Sequence, residues 1–582
     1  MAAIALALFG LSAMVLGYRA YSKFIAEQIY RLDPTFVTPA HALRDDHDYV
    51  PTKRMVLWGH HFTVVAGAAP VVWPAIAVVW GWVPAFIWIV AGTVFFATVH
   101  DMGAIWASVR NRARSMGALS DDVIGPRART LFMIVIFLLL LMVNAVFAVA
   151  IADAFAATPG SVVPAWSAIA VALVIGVLLY KVGAGILWPT VVGSLVLYGV
   201  IFLGESMPVR LPAEVLGLAP GAQWIVLLFV YAAIASMLPV WLLLQPRGYI
   251  NGVQLVVGLA LMYGAVVMAA PPLVAPAFNT DVPPGSPPLA PLLFVTLACG
   301  TISGFHGLVG SGTTSKQLNA EPSVRFVGGL GALGEGSLAL IALIVVSAGF
   351  ASTTDWRATY HTFGEGGITA FVNGGATILA GGLGLSEAFS RTVLAVMAVL
   401  FAGTTMDAGV RLQRYIVQEW GAIHRIPLLE NSYVATLAAV GACLVLAFGA
   451  GGAGGTGGLL IWPLFGTTNQ LLAGLTLSVI SVMLVRLGRS SRYTMVPMVF
   501  VMGTALLAAL YQLWSLMAEG QYALLFLDVL IIVAAMSVVL EAVAALSRER
   551  RARWDQPSAV GLTSSSFTSS KDTSRSTTTF RM

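Results

Sequence analysis

Four short stretches carry side chains able to do chemistry, and all four sit in apolar surroundings. TVHDMG (98–103) sets His100 beside Asp101. Imidazole titrates near neutral pH, and an ionisable pair placed mid-span must face a protein interior, so this pair suits proton transfer. FAGTTMD (401–407) holds the adjacent hydroxyls of Thr404 and Thr405. Together with backbone carbonyls they form hard oxygen ligands suited to a small cation. VVAGAAPVVWP (64–74) places Ala66, Gly67, Ala68 and Ala69 ahead of Pro70 and Pro74. ACGTISGFHGLVGSGTTSK (298–316) surrounds Ser303, Phe305 and His306 with Gly300, Gly304, Gly307, Gly310 and Gly312. Proline removes a donor and glycine weakens a helix, so both stretches predict unwound backbone whose bared carbonyls and amides can hold a substrate or an ion.

Each stretch also has a structural reading, and both stay open at this stage. The His–Asp pair can be a buried tie between helices. A threonine can bond its own helix. The glycines can serve close helix packing. Asp407 and Arg411, four residues apart, are expected to pair on one helix face. In LLIWPLFGTTNQLLAGL (459–475), Asn469 and Gln470 read as hydrogen-bonding partners of neighbouring helices. Asn144, Asp153 and Glu335 are further polar groups in or near spans, and His60 and His61 read as wet residues at a span boundary.

The elements that must position these groups follow from composition. Of 582 residues, 58% are hydrophobic and only 10% charged, against roughly a quarter charged in soluble domains. Mean hydropathy is +0.88. Apolar runs of helix-spanning length recur throughout, and alternating ten-residue strands do not. The fold class is therefore an all-α polytopic membrane protein of about 15 transmembrane helices: 2–27, 59–82, 83–109, 130–153, 164–181, 183–203, 221–244, 250–272, 291–315, 327–350, 389–412, 431–449, 459–485, 493–516 and 523–546. Its two cysteines, Cys299 and Cys443, lie far apart in apolar runs, so neither a disulfide framework nor a zinc motif is expected.

Charge placement sets orientation. With the N-terminus outside, all of the 31 Lys and Arg residues except Arg210, Arg357 and Arg391 fall on the cytoplasmic side, as the positive-inside rule requires. The basic pI of about 9.2 thus reports topology and not nucleic-acid binding. The same parity runs span 59–82 and span 291–315 in opposite directions, as two inverted repeats of five demand. The division expected is 1–58 (peripheral helix and cytoplasmic loop), 59–290 (first repeat plus an inserted pair at 221–244 and 250–272), 291–485 (second repeat), 486–554 (peripheral helices) and 555–582 (disordered cytoplasmic tail). Residues 270–291 read as an extended proline-rich loop, 351–388 as holding a short amphipathic helix, and 447–458 as a flexible glycine turn. Without a soluble domain, a nucleophile–base pair or a metal motif, no enzyme is expected.

The long motifs YRAYSKFIAEQIYRLDPTFVTPAHALRDDHDYVPT (18–52), GHHFTVVAGA, VHDMGAIWASVRNRARSMG, CGTISGFHGLVGSGTTSKQL, MDAGVRLQRYIVQEW and IWPLFGTTNQLLAGL resemble the carbon starvation protein A family of bacterial inner-membrane carriers, in collinear order over roughly 18–485. The resemblance implies a fold of the amino acid–polyamine–organocation type, with a five-plus-five inverted repeat and two discontinuous helices. It also implies uptake of peptides during carbon limitation, or of pyruvate with protons, with no cofactor beyond a coupled H⁺ or Na⁺. Partners would be the small-molecule substrate and the lipid bilayer, with no nucleic acid. On this reading Ala66–Ala69 and Ser303–His306 bind substrate, while Thr404, Thr405, His100 and Asp101 couple ion or proton. The chain departs from the family at Ala69, where a glycine is usual, at Trp73, where a small residue is common, and at Ala118 and Ser315. A channel or a nutrient sensor is the reading from a different class.

Overall fold

A computed structural model describes residues 3–363, 366–449 and 461–554. The glycine turn expected at 447–458 and the tail expected from 555 lie mostly or wholly outside them. Among the described residues, 14 helices are long and apolar enough to cross a bilayer. They match the expected spans one for one except for 291–315. That segment is built in pieces and does not count as one helix: Leu289–Thr296, a tight turn at Ala298–Gly300, Gly304–Val309 and a widened turn at Gly310–Thr314.

The first rod breaks as well. Helix Arg54–Ala66 stops at Gly67, whose φ of +51° and ψ of −159° end the helical course, and Ala69–Ala77 resumes it. Pro70 stands in the first turn of the resumed helix, where its missing N–H costs nothing. Pro70 therefore starts the second half, Pro74 lies inside it, and the glycine makes the break.

Both rods lie among long, enclosed helices. Spans Arg54–Trp80, Glu387–His424 and Trp462–Arg486 are buried by their neighbours, whereas Ala3–Ile29, Leu187–Gly204 and Tyr522–Glu549 expose most of their apolar surface. Packing shows how the two halves correspond. Leu244–Ala269 runs along the first rod as Trp462–Arg486 runs along the second, and Pro220–Met237 touches both long helices, Pro126–Ala157 and Glu387–His424, as Ser432–Gly449 does. Val162–Tyr180 and Leu187–Gly204 pack on each other.

One face of the bundle carries the proline-rich loop. The Trp80 indole donates to the Pro287 carbonyl at 3.1 Å, and the Asn279 amide donates to the Val79 carbonyl at 2.7 Å. Residues 351–388 hold two helices there, Thr353–Thr359 and Gly367–Leu383. The opposite, basic face is tied by Arg110–Glu321, at 2.5 Å, and by Arg486–Glu549, at 2.7 Å.

Candidate functional site

Each break needs partners for the backbone groups it frees, because an unpaired peptide group away from water costs several kcal/mol. At the first, the Thr405 hydroxyl donates to the Val64 carbonyl at 2.7 Å. A Cβ placed on Gly67 would stand 2.9 Å from that same oxygen and 3.2 Å from the Phe147 ring. At the second, Asn469 does the work. Its Oδ1 accepts from the Phe305 N–H at 2.9 Å and from the Ser303 hydroxyl at 3.1 Å, and its Nδ2 donates to the Cys299 sulfur at 2.9 Å. The two breaks meet where Gly300 comes close to Pro70.

The glycines after Ser303 have a different task. Gly304–Val309 is helical, and a Cβ on Gly304 would collide with the Asn469 carbonyl. Close packing is thus their role, and the unwinding lies just before them, at Leu297–Ser303.

Beside the second break runs a buried chain of titratable groups. His100 Nδ1 lies 2.8 Å from one Asp101 oxygen and His306 Nδ1 lies 2.9 Å from the other. His306 Nε2 stands 3.1 Å from Glu335. All four are 0–1% exposed. His100, Asp101 and His306 were singled out in sequence; that His306 joins the pair to Glu335 was not. The first rod is linked to the second by His61, whose Nδ1 lies 2.9 Å from the Thr314 hydroxyl. His60 and His61 are fully buried, contrary to the expectation that they are wet.

Thr404 and Thr405 diverge. Thr404 faces away from the break, accepting from the Asn251 amide at 2.8 Å and bonding its own helix at Leu400. Asp407 does not pair with Arg411. It is the partner of buried Arg247 and accepts from the Tyr231 hydroxyl at 3.0 Å. Arg411 instead donates to the Ala235 and Leu238 carbonyls. Sequence reasoning missed Arg247, which reads as a loop cation but sits in the first turns of Leu244–Ala269.

Two cavities approach the breaks from opposite faces. One, of about 750 Å³, opens on the proline-rich face and is lined by Val72, Trp73 and Ile76 of the first rod. The other, of about 380 Å³, opens on the basic face and is lined by Leu308, Ser311, Gly312 and Lys316 of the second. Neither reaches Ala66–Ala69 or Ser303–His306, which are packed in. Between them stand Trp73 against Trp462, ring centres 5.2 Å apart, and Phe147 against Phe465, at 6.2 Å. The loop before the first rod borders the basic-face mouth. There Asp48 accepts from the Tyr415 hydroxyl at 2.6 Å, and the Thr52 N–H donates to the Gln317 carbonyl at 3.1 Å. Burial pushes the Asp48 carboxyl up, but Lys316, the Tyr415 hydroxyl and Arg411 outweigh it and hold the group below its usual value.

With this geometry in hand, comparison with known proteins is informative. The family profile described as "Carbon starvation protein CstA" matches residues 2–354 and 350–508. The chain belongs to the CstA family. Within that family, a protein of Campylobacter jejuni named peptide transporter CstA is 32% identical, covering 88% of this chain and 79% of its own. Its namesake in Escherichia coli K12 is 32% identical over 83% of this chain and 77% of its own. The E. coli pyruvate/proton symporter BtsT is 30% identical over 84% and 79%. A manganese transporter of Eremococcus coleocola aligns at a TM-score of 0.43 and 14% identity over 87% of this chain and 99% of its own, too loosely to bear on the site. The departure at Trp73 has a visible consequence: its ring lines both the 750 Å³ cavity and a second of about 330 Å³, and so divides the space on the proline-rich face.

Proposed function

We propose that this protein is a secondary active transporter that takes up small organic nutrients, short peptides foremost, by alternating access. The observation that carries this reading is the antisymmetry of the two cavities. The resumed half of the first rod lines one and the far half of the second rod lines the other, with a plug of aromatic rings between them. Rocking one repeat against the other would open either cavity to the breaks in turn. The basic face is then cytoplasmic, the proline-rich face and the N-terminus are external, and the membrane is the bacterial inner membrane. The working unit is 59–290 with 291–485, and 1–58 and 486–554 are peripheral.

In this scheme the protein is closed at its centre, and Ala66–Ala69 and Ser303–His306 form the substrate site once the rings part. The half-helix beginning at Ala69 turns its amide end, with about half a positive charge, toward a substrate carboxylate. Thr405 and the Val64 carbonyl are the oxygens nearest a coupled cation, and Thr404 belongs to the helix packing behind them. The His100–Asp101–His306–Glu335 chain supports a second reading, pyruvate with a proton, since it is an unbroken path of groups able to pass one. Purified protein in liposomes tests both. Saturable, gradient-dependent uptake of labelled dialanine supports the peptide reading, and proton-driven uptake of pyruvate alone supports the second. Uptake indifferent to collapse of both the proton and sodium gradients refutes coupling.

A further inference from the structure

The 750 Å³ cavity has a charge pattern that a simple funnel does not need. Its volume falls within the usual range of small-ligand sites. Among its described lining residues only two are charged, and they have opposite signs: Asp153, one turn from the end of Pro126–Ala157, and Arg391, in the first turns of Glu387–His424. Asp153 is exposed, and no hydrogen bond or ion pair reaches it among the described residues. Arg391 pairs with Glu387 at 3.1 Å, but both side chains are about half exposed, so water and ligands compete well for that contact. The floor between them is aromatic, formed by Trp73 and Trp462, with Phe363 and the amide of Asn373 on the wall.

We infer that this vestibule is a reception site for a short zwitterionic peptide, with Asp153 taking the free ammonium, Arg391 the terminal carboxylate, and the tryptophan floor the apolar side chains. A guanidinium suits a carboxylate through paired donors, and a lone carboxylate at a cavity wall suits an ammonium. A small monoanion needs only the cation, so Asp153 is the feature that favours a peptide over pyruvate. The two long helices that carry these groups are equivalent members of the two repeats, so a peptide bridging them would couple its binding to their relative position.

This inference rests on the peptide reading of function, and the test separates the two. Calorimetric binding to detergent-solubilised protein is measured for dialanine, N-acetyl-dialanine and dialanine amide, while counterflow of labelled dialanine is measured in liposomes. In the unmutated protein each blocked terminus is expected to weaken binding about tenfold. In D153N the N-acetyl penalty disappears and the amide penalty stays; in R391Q the reverse holds; and D153E restores the wild-type pattern. Variants that weaken all three ligands equally, or leave all three unchanged, overturn the reception site. Counterflow absent despite the expected binding pattern overturns the transport reading instead and leaves the site standing.

Discussion

The two breaks solve one problem in different ways. The first is narrow: a single glycine turns the chain, and one hydroxyl from helix Glu387–His424 takes one freed carbonyl. The second spreads over Leu297–Ser303, and one amide side chain binds an N–H, a hydroxyl and a sulfur around it. Among the described residues, the buried chain of His100, Asp101, His306 and Glu335 runs beside the second. A break held by one neutral hydrogen bond is cheaper to rearrange than one held by an amide and a set of paired ionisable groups, because net hydrogen-bond contributions are small while stripped buried charges are expensive. The first rod is therefore expected to be the easier one to rearrange, with the second as the anchor.

Breaking the anchor gives the largest expected effect. D101N leaves two buried histidines without their carboxylate and should destabilise the protein by about 3–5 kcal/mol, seen as a lower thermal midpoint in detergent and loss of proton-driven uptake. A stable, fully coupled variant would remove the distinction between the rods. Next, N469A strands the Phe305 N–H and should cost about 1–3 kcal/mol; a midpoint shift smaller than that of T405V would reverse the ranking.

On the side expected to rearrange, G67A forces a positive φ with extended ψ on a residue with a Cβ, at about 1–3 kcal/mol, and crowds Thr405. Its main signature should be uptake reduced by tenfold or more, with modest loss of stability. T405V leaves the Val64 carbonyl bare, at about 1 kcal/mol, whereas T404V, away from the break, should leave gradient dependence intact. Equal transport defects in the two threonine variants would put the cation elsewhere.

The smallest effect belongs to the loop at residues 31–53. Because the folded Asp48 titrates below its unfolded value, its contribution is full above the ordinary aspartate range near pH 4 and is lost as pH falls through the lower folded value. D48N should quicken hydrogen exchange in residues 31–53 at pH 7, and the difference should shrink once pH falls below the ordinary aspartate range. Exchange unchanged at pH 7 would show that the backbone contact of Thr52 with Gln317 alone holds that loop.

Much of this was legible in the chain. Apolar length, charge placement and parity determine that the protein is a polytopic helical bundle and which ends of the spans share a face, because a bilayer constrains each span locally and independently of its neighbours. Gly67 ahead of two prolines marked the first break. The second was placed a few residues too late, since glycines that let backbones approach and glycines that let a helix unwind are the same letter. Asn469 was read as a bridge between helices, which it is, but that it caps a broken rod depends on what lies opposite. Tertiary structure alone decided that Asp407 takes Arg247 in place of Arg411 and that His60 and His61 are dry. It also decided that Asp153 and Arg391, 238 positions apart, face one cavity. Partners across helices are set by packing in three dimensions, and a linear pattern records a side chain's need for a partner without recording where that partner is.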